Sequence, residues 1–196
     1  LWQTDNTSDD THRVAMETPV ALVFNGISHV VMMSTPADLE EFALGFSLSE
    51  GILETPEQLL DCHIEHTDSG IEVQLTITAK PFAALKQRRR NLVGRTGCGL
   101  CGAESLQQAI VPPTKVSSTI NLGHRALQRA IAALGEQQRL QIQTGAVHGA
   151  AWCDSAGKIL LVREDVGRHN ALDKLLGARC RQFNAVSYTH LRAHET

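Results

Sequence analysis

Apolar positions in the first part of the chain follow the periods of strand, strand, helix and strand in turn. Val20 to Phe24 and Ile27 to Met33 are rich in β-branched and aliphatic residues and flank Asn25-Gly26, the dipeptide that most strongly signals a two-residue hairpin turn. Met32 and Met33 read as core positions of the second strand. Thr35-Pro36 reads as an N-cap followed by proline at the first helical position. The helix it predicts carries Leu39, Phe42, Ala43, Phe46 and Leu48 on one face and ends near Gly51. Ile71 to Thr78 alternates apolar and polar side chains, the period of a half-buried strand. Pro81 opens a helix that runs to Leu92.

Farther along, Val111 to Thr119 has the proline and small polar residues of a linker. His124 to Leu134 places Leu127, Ala130, Ile131 and Leu134 on one helical side, and a Gln-rich stretch, 136–143, follows. Val147 to Cys153 and Ile159 to Arg163 read as strands joined around Asp154 to Gly157. Asp165 is placed to cap a helix from Val166 or Gly167 to Leu176, with Gly177 as its C-terminal stop. These elements predict an α/β fold in segments. Residues 1–18 are expected to be disordered. Residues 19–110 form an N-terminal α+β region that includes a cysteine loop, 111–121 a linker, and 122–186 an α/β domain. Residues 187–196 show neither periodicity nor an apolar face and are expected to be a non-native tail. The sequence opens on Leu1 rather than Met.

Composition narrows the class. The 196 residues are 42% hydrophobic and 20% charged, so an aliphatic core is affordable, while aromatics are only 4%. A formal net charge of -3 gives the whole chain no electrostatic case for nucleic acid. Five cysteines, an odd number, do not form the framework of a small secreted disulfide scaffold. No apolar run approaches the roughly 18–20 residues of a membrane span. The polar, acidic stretch Thr4 to Asp10 is no secretory signal, so a reducing, cytoplasmic setting is the expectation.

Charge patterning singles out Gly94 to Gly102, where four of nine residues are glycine and Cys98 and Cys101 form the chain's one Cys-x-x-Cys. From Val73 to Ala103 there is no Asp or Glu, yet Lys80, Lys86, Arg88, Arg89, Arg90 and Arg95 are present. Positive charge favours thiolate, the reactive form of cysteine, and glycines let a thiol approach another molecule closely. Reactive sulfur chemistry, a metal site and an inert structural loop all remain open. Zinc would need further ligands, for which His124, His148 and His169 are scattered candidates. The basic run is by itself a solvated helix face, or a surface that steers an anionic partner. Glu164 to Lys174 is the second candidate: Arg168, His169 and Asn170 fall in the first turn of a helix, where backbone N–H groups favour an anion. His148 among small residues is either a ligand or a satisfied histidine, and Cys62, Cys153 and Cys180 read as small buried hydrophobes.

Pro19 to Ile27, Phe42 to Phe46, Gly94 to Gly102 and Glu164 to Lys174, in that order, resemble the FdhD family, accessory sulfurtransferases needed to make formate dehydrogenase active. The resemblance runs from about Pro19 to Arg179. It implies that sulfur is accepted as a persulfide from a cysteine desulfurase and passed to the molybdenum (or tungsten) bis-guanine-dinucleotide cofactor before that cofactor enters formate dehydrogenase. Cys98 then looks like the persulfide carrier and Cys101 its partner, with Arg95, Arg168, His169 and Asn170 on the cofactor and no metal held by the protein itself. The implied fold is similar to cytidine deaminases, with an added smaller N-terminal region, and family members continue beyond the Asp165 helix, so later strands are expected to be missing here. The implied partners are the desulfurase, formate dehydrogenase and the cofactor, with no nucleic acid and no membrane, and a homodimer is compatible with the family. Deaminase chemistry is not expected, because neither His148 nor His169 begins a His-x-Glu and the Cys98-x-x-Cys101 pair precedes both and lacks the proline of a Pro-Cys-x-x-Cys. The alternatives are a cofactor-carrying chaperone whose cysteines only gate a loop, and a structural zinc protein.

Overall fold

A computed structural model of the chain describes residues 13–92 and 122–183. The order is β1 (Thr18–Phe24), β2 (Ile27–Ser34), α1 (Leu39–Ser49), a 3-10 turn at Pro56–Gln58, β3 (Leu59–Thr67), β4 (Gly70–Ile77), α2 (Ala79–Leu92), α3 (His124–Gln137), α4 (Arg139–Thr144), β5 (His148–Cys153), β6 (Ile159–Asp165) and α5 (Arg168–Phe183). The architecture is mixed α/β. Strands β2-β1-β4-β3 make one sheet, in which β1 and β4 run parallel and the other pairs antiparallel. Strands β5 and β6 pair antiparallel in a second sheet. Among the described residues the larger sheet is therefore the N-terminal one.

The period-2 pattern of β1 and β4 turns Val20, Leu22, Phe24, Val73 and Leu75 to one side, where they meet Phe42 and Ala43 of α1 in the main core. Burying side chains of this size contributes about 1.5–3 kcal/mol each. The Asn25-Gly26 hairpin forms as expected, with both residues at positive φ, 47° and 77°. Asn25 also reaches sideways: its Oδ1 accepts the Ile77 N–H at 2.7 Å and its Nδ2 donates to the Ile77 carbonyl at 3.1 Å.

Four expectations are corrected. Strand β3 was not foreseen: it is an edge strand whose Asp61, His63 and Glu65 break up the apolar run, while Cys62 and Ile64 pack on the core. Met33 is not core; together with Val31 it lies on the exposed side of β2. The first helix starts at Leu39, after Asp38 in the left-handed region, and not at Pro36, because Thr35 is held by contacts to the β6–α5 junction. The last helix passes through Gly177 to Phe183. Gly177 is there for close approach rather than termination: a Cβ on it would lie 1.9 Å from the Glu41 carbonyl oxygen.

Helix α5 lies across α1 and carries the second sheet with it. The Arg179 guanidinium stacks 3.8 Å from the Trp152 ring centre, fastening β5 to α5. Arg163 of β6 forms a fork to both carboxylate oxygens of Glu41 on α1, with Asp38 3.7 Å away. On the other side, α3 approaches the β5–β6 turn so closely that a Cβ at Gly157 would sit 2.0 Å from the Ala126 carbonyl oxygen. Arg129 closes that contact by donating to the Ala156 carbonyl.

Candidate functional site

Asp165, the last residue of β6, lies where the two parts of the fold meet. It and Lys174, one face farther along α5, have side chains with no solvent exposure and approach to 2.6 Å. A carboxylate taken out of water needs every lone pair satisfied. Oδ2 accepts from the Ser34 hydroxyl at 2.6 Å and the Thr35 N–H at 3.0 Å as well as from Lys174. Oδ1 accepts from the Gly167 N–H at 2.8 Å and from Asn170 Nδ2 at 3.1 Å. Lys174 gives a further proton to the Thr35 carbonyl at 2.9 Å, and the Thr35 hydroxyl accepts the Val166 N–H at 3.2 Å. One carboxylate thus fixes two turns, 33–35 and 165–170. Asp165 does not cap α5 as a simple N-cap: it ends β6, the helix begins at Arg168, and its charge is spent on the junction.

This arrangement splits the first-turn cluster. Arg168 and His169 are exposed, but Asn170 is buried and its amide is committed to Asp165 and to the Met33 carbonyl, 2.9 Å away. Arg168 and His169 therefore share an accessible face, and Asn170 holds the turn that presents them. His148 is exposed at the start of β5, opposite Asp165 in the strand register. Arg95, Cys98 and Cys101 lie outside the described residues. Sequence reasoning did not assign Ser34, Thr35 or Lys174 to this junction. Thr35 carried a signal, but with Pro36 it pointed to a helix cap, and nothing in the sequence sets Lys174 apart from a solvated helix lysine.

One more charged group stands at the α1–α5 seam. Asp173 is nearly buried and accepts a 2.8 Å hydrogen bond from the Ser49 hydroxyl. Burial, with a smaller contribution from the neighbouring Glu50 charge, outweighs that bond and pushes its carboxyl up to about 6. Among the described residues no three His, Cys, Asp or Glu side chains gather as a metal site, and no helix is long and apolar enough to cross a membrane.

The comparisons agree with one another. The profile of the FdhD/NarQ family matches residues 15–191. A curated relative from Cupriavidus necator, named sulfur carrier protein FdhD, is 54% identical over 177 residues, which is 90% of this chain and 62% of the relative. A protein of the same name from Variovorax paradoxus is 52% identical over 175 residues, 88% of this chain and 62% of its own length. The chain therefore spans about three fifths of the length of these relatives. A crystal structure from Desulfotalea psychrophila, provisionally described as a formate dehydrogenase accessory protein, shares the fold with a TM-score of 0.61 at 24% identity, over 95% of this chain and 66% of that one. With the motif order of the sequence and a family match that takes in nearly the whole chain, the protein belongs to the FdhD/NarQ family.

Proposed function

We propose that this chain is part of a sulfur carrier that serves formate dehydrogenase, with Cys98 as the carrying thiol. The observation that supports it most is the Cys98-x-x-Cys101 pair in a glycine-rich, acid-free basic segment of a chain 54% identical to a protein named sulfur carrier. In the first step the Cys98 thiolate attacks the outer sulfur of a donor persulfide on a cysteine desulfurase. A new S–S bond forms at Cys98, the donor's S–S bond breaks, and the donor leaves as a thiolate, with no net oxidation. In the second step the Cys101 thiol attacks the inner sulfur of the Cys98 persulfide. A Cys98–Cys101 disulfide forms and the outer sulfur leaves as sulfide for the recipient. The recipient in this reading is the molybdenum bis-guanine-dinucleotide cofactor, a substrate rather than a resident group. Its phosphates suit Arg95, Arg168 and the exposed His169.

The cytoplasm is the compartment that suits thiols kept reduced. The β5–β6 pair carries half-buried apolar side chains on both faces, the pattern of a sheet covered on each side, and this supports its belonging to a larger deaminase-like sheet in the longer relatives. The test is sulfur loading of the full-length protein by a desulfurase and labelled cysteine. Label on the Cys98 peptide that disappears in Cys98→Ala supports the proposal; wild-type loading of Cys98→Ala overturns it.

A further inference from the structure

A groove of about 500 Å³ opens between α1, β3 and the end of α5. Cys62 and Cys180 lie along it, together with Leu44, Glu40, Asp61 and Arg181. Both cysteines are half-buried, packing against the main core while bordering the groove. The charges that line the groove beside Cys62 are the reverse of those that neighbour Cys98 in the sequence. Glu40 and Asp61 stand on the same groove, Arg181 is tied to Glu40 in an ion pair, and hydrogen bonds from the Thr55 hydroxyl and its own backbone amide hold the Glu57 carboxyl at the rim below its ordinary range. The Val73–Ala103 segment contains no carboxylate at all.

We propose that packing against the core and the acidic lining of this groove together keep Cys62 out of the sulfur traffic, so that persulfide sulfur is loaded on the Cys98-x-x-Cys101 pair and not here; this rests on the sulfur-carrier reading. Taking sulfur requires a thiolate to attack a donor persulfide, Cys62–S⁻ plus R–S–S–H giving Cys62–S–S–H plus R–S⁻. Burial first, and the Glu40 charge second, push the Cys62 thiol up to about 11, while Arg181 pulls the other way. Each unit is about tenfold in thiolate. Cys153 follows the same rule, since burial and then the adjacent Asp154 hold its thiol up. In a carrier, a thiol that loaded sulfur away from the delivery loop would strand it.

The experiment measures alkylation of Cys62 by iodoacetamide at about pH 8 in the full-length protein, mapped by peptide mass spectrometry. Glu40→Gln removes a repelling charge and leaves Arg181 without its counter-charge, so Cys62 is expected to react roughly threefold faster or more. Arg181→Gln is expected to slow it. Opposite signs for the two variants support the electrostatic account. Acceleration in both is what simple loosening of the groove would produce, and it overturns the proposal, as does an unchanged rate in Glu40→Gln. The second arm loads sulfur from a desulfurase. Persulfide on Cys98 with none on Cys62 in the wild type completes the case; persulfide on wild-type Cys62 sinks it. If no cysteine loads while the alkylation signs hold, the sulfur-carrier reading has failed and the shielding of Cys62 has not.

Discussion

Gly45 and Gly177 face one another across the α1–α5 seam: a Cβ on Gly45 would lie 2.9 Å from the Gly177 nitrogen and 1.7 Å from the Asp173 carbonyl oxygen. Each glycine receives the backbone of the opposite helix, so the two axes approach as closely as main chains allow.

Alanine at either position is therefore expected to force the helices apart. Overpacking costs about 1–3 kcal/mol where neighbours yield, and here the obstacle is backbone, so Gly45→Ala and Gly177→Ala are each expected at or above the top of that range. Chemical denaturation reads this directly, and a midpoint unchanged from wild type would contradict the close approach. In an exposed helix the same change stabilises by about 1 kcal/mol, so even the sign is diagnostic.

Asp165 and Lys174 are expected to respond unequally to neutralisation. Removing one partner of a buried pair costs about 3–5 kcal/mol because the other charge is left behind. After Lys174→Met the Asp165 carboxylate still has the Ser34, Thr35, Gly167 and Asn170 donors. After Asp165→Asn the Lys174 ammonium keeps the Thr35 carbonyl but no anion. Asp165→Asn is thus expected to lower stability at neutral pH more than Lys174→Met, and the reverse order in urea melts would refute this assignment of donors.

Asp173 gives a pH dependence. Its carboxyl is raised from 3.8 to about 6 in the fold. The folded state then binds the proton more tightly than the unfolded state. Its contribution is fully present below about pH 4 and is lost as pH rises to about 6, a difference on the order of 3 kcal/mol. Asp173→Asn keeps an acceptor for Ser49 without the charge, so it is expected to flatten that stretch of the stability profile and raise the melting temperature at pH above about 7. An identical profile in the variant would rule Asp173 out as the titrating group.

Asn25 does two jobs, one local and one distant. Asn25→Ala leaves both Ile77 backbone groups without their side-chain partner, at a cost of about 1–3 kcal/mol. Asn25→Asp retains the acceptor for the Ile77 N–H and places a like-signed oxygen beside its carbonyl. The expected order of stability is wild type, then Asp, then Ala, as measured by thermal melts of the three proteins. An Ala variant as stable as wild type would mean that neither the turn nor the Ile77 backbone depends on Asn25.

These residues also show what could be read beforehand. The hairpin was legible because Asn25-Gly26 encodes its turn within two residues. The core was legible because Val20, Leu22 and Phe24 share one strand face whatever packs against them. Gly177 was not, since a glycine that stops a helix and one that admits another backbone look alike until Glu41 is placed opposite. Thr35 was misread for the same reason: local rules see a cap before Pro36, whereas the partner is a carboxylate far along the chain. Of the site, the family motif and the thiol pair were legible from residue types alone, and Lys174 was hidden because burial, not identity, makes it unusual.

The Ser34–Asp165 hydrogen bond spans 131 residues, and that separation imposes a schedule on synthesis. Closing a loop of this length costs roughly 4 kcal/mol in chain entropy, and the chain leaves the ribosome N-terminus first. The four strands of the mixed sheet and α1 emerge early and contain their own core. The groove that Gly45 opens in α1 and the turn at Thr35 must then wait, uncovered, until about a hundred further residues have been made. A nascent chain halted before α5 would hold a formed sheet beside a bare helix face, a surface suited to a chaperone until α5 arrives.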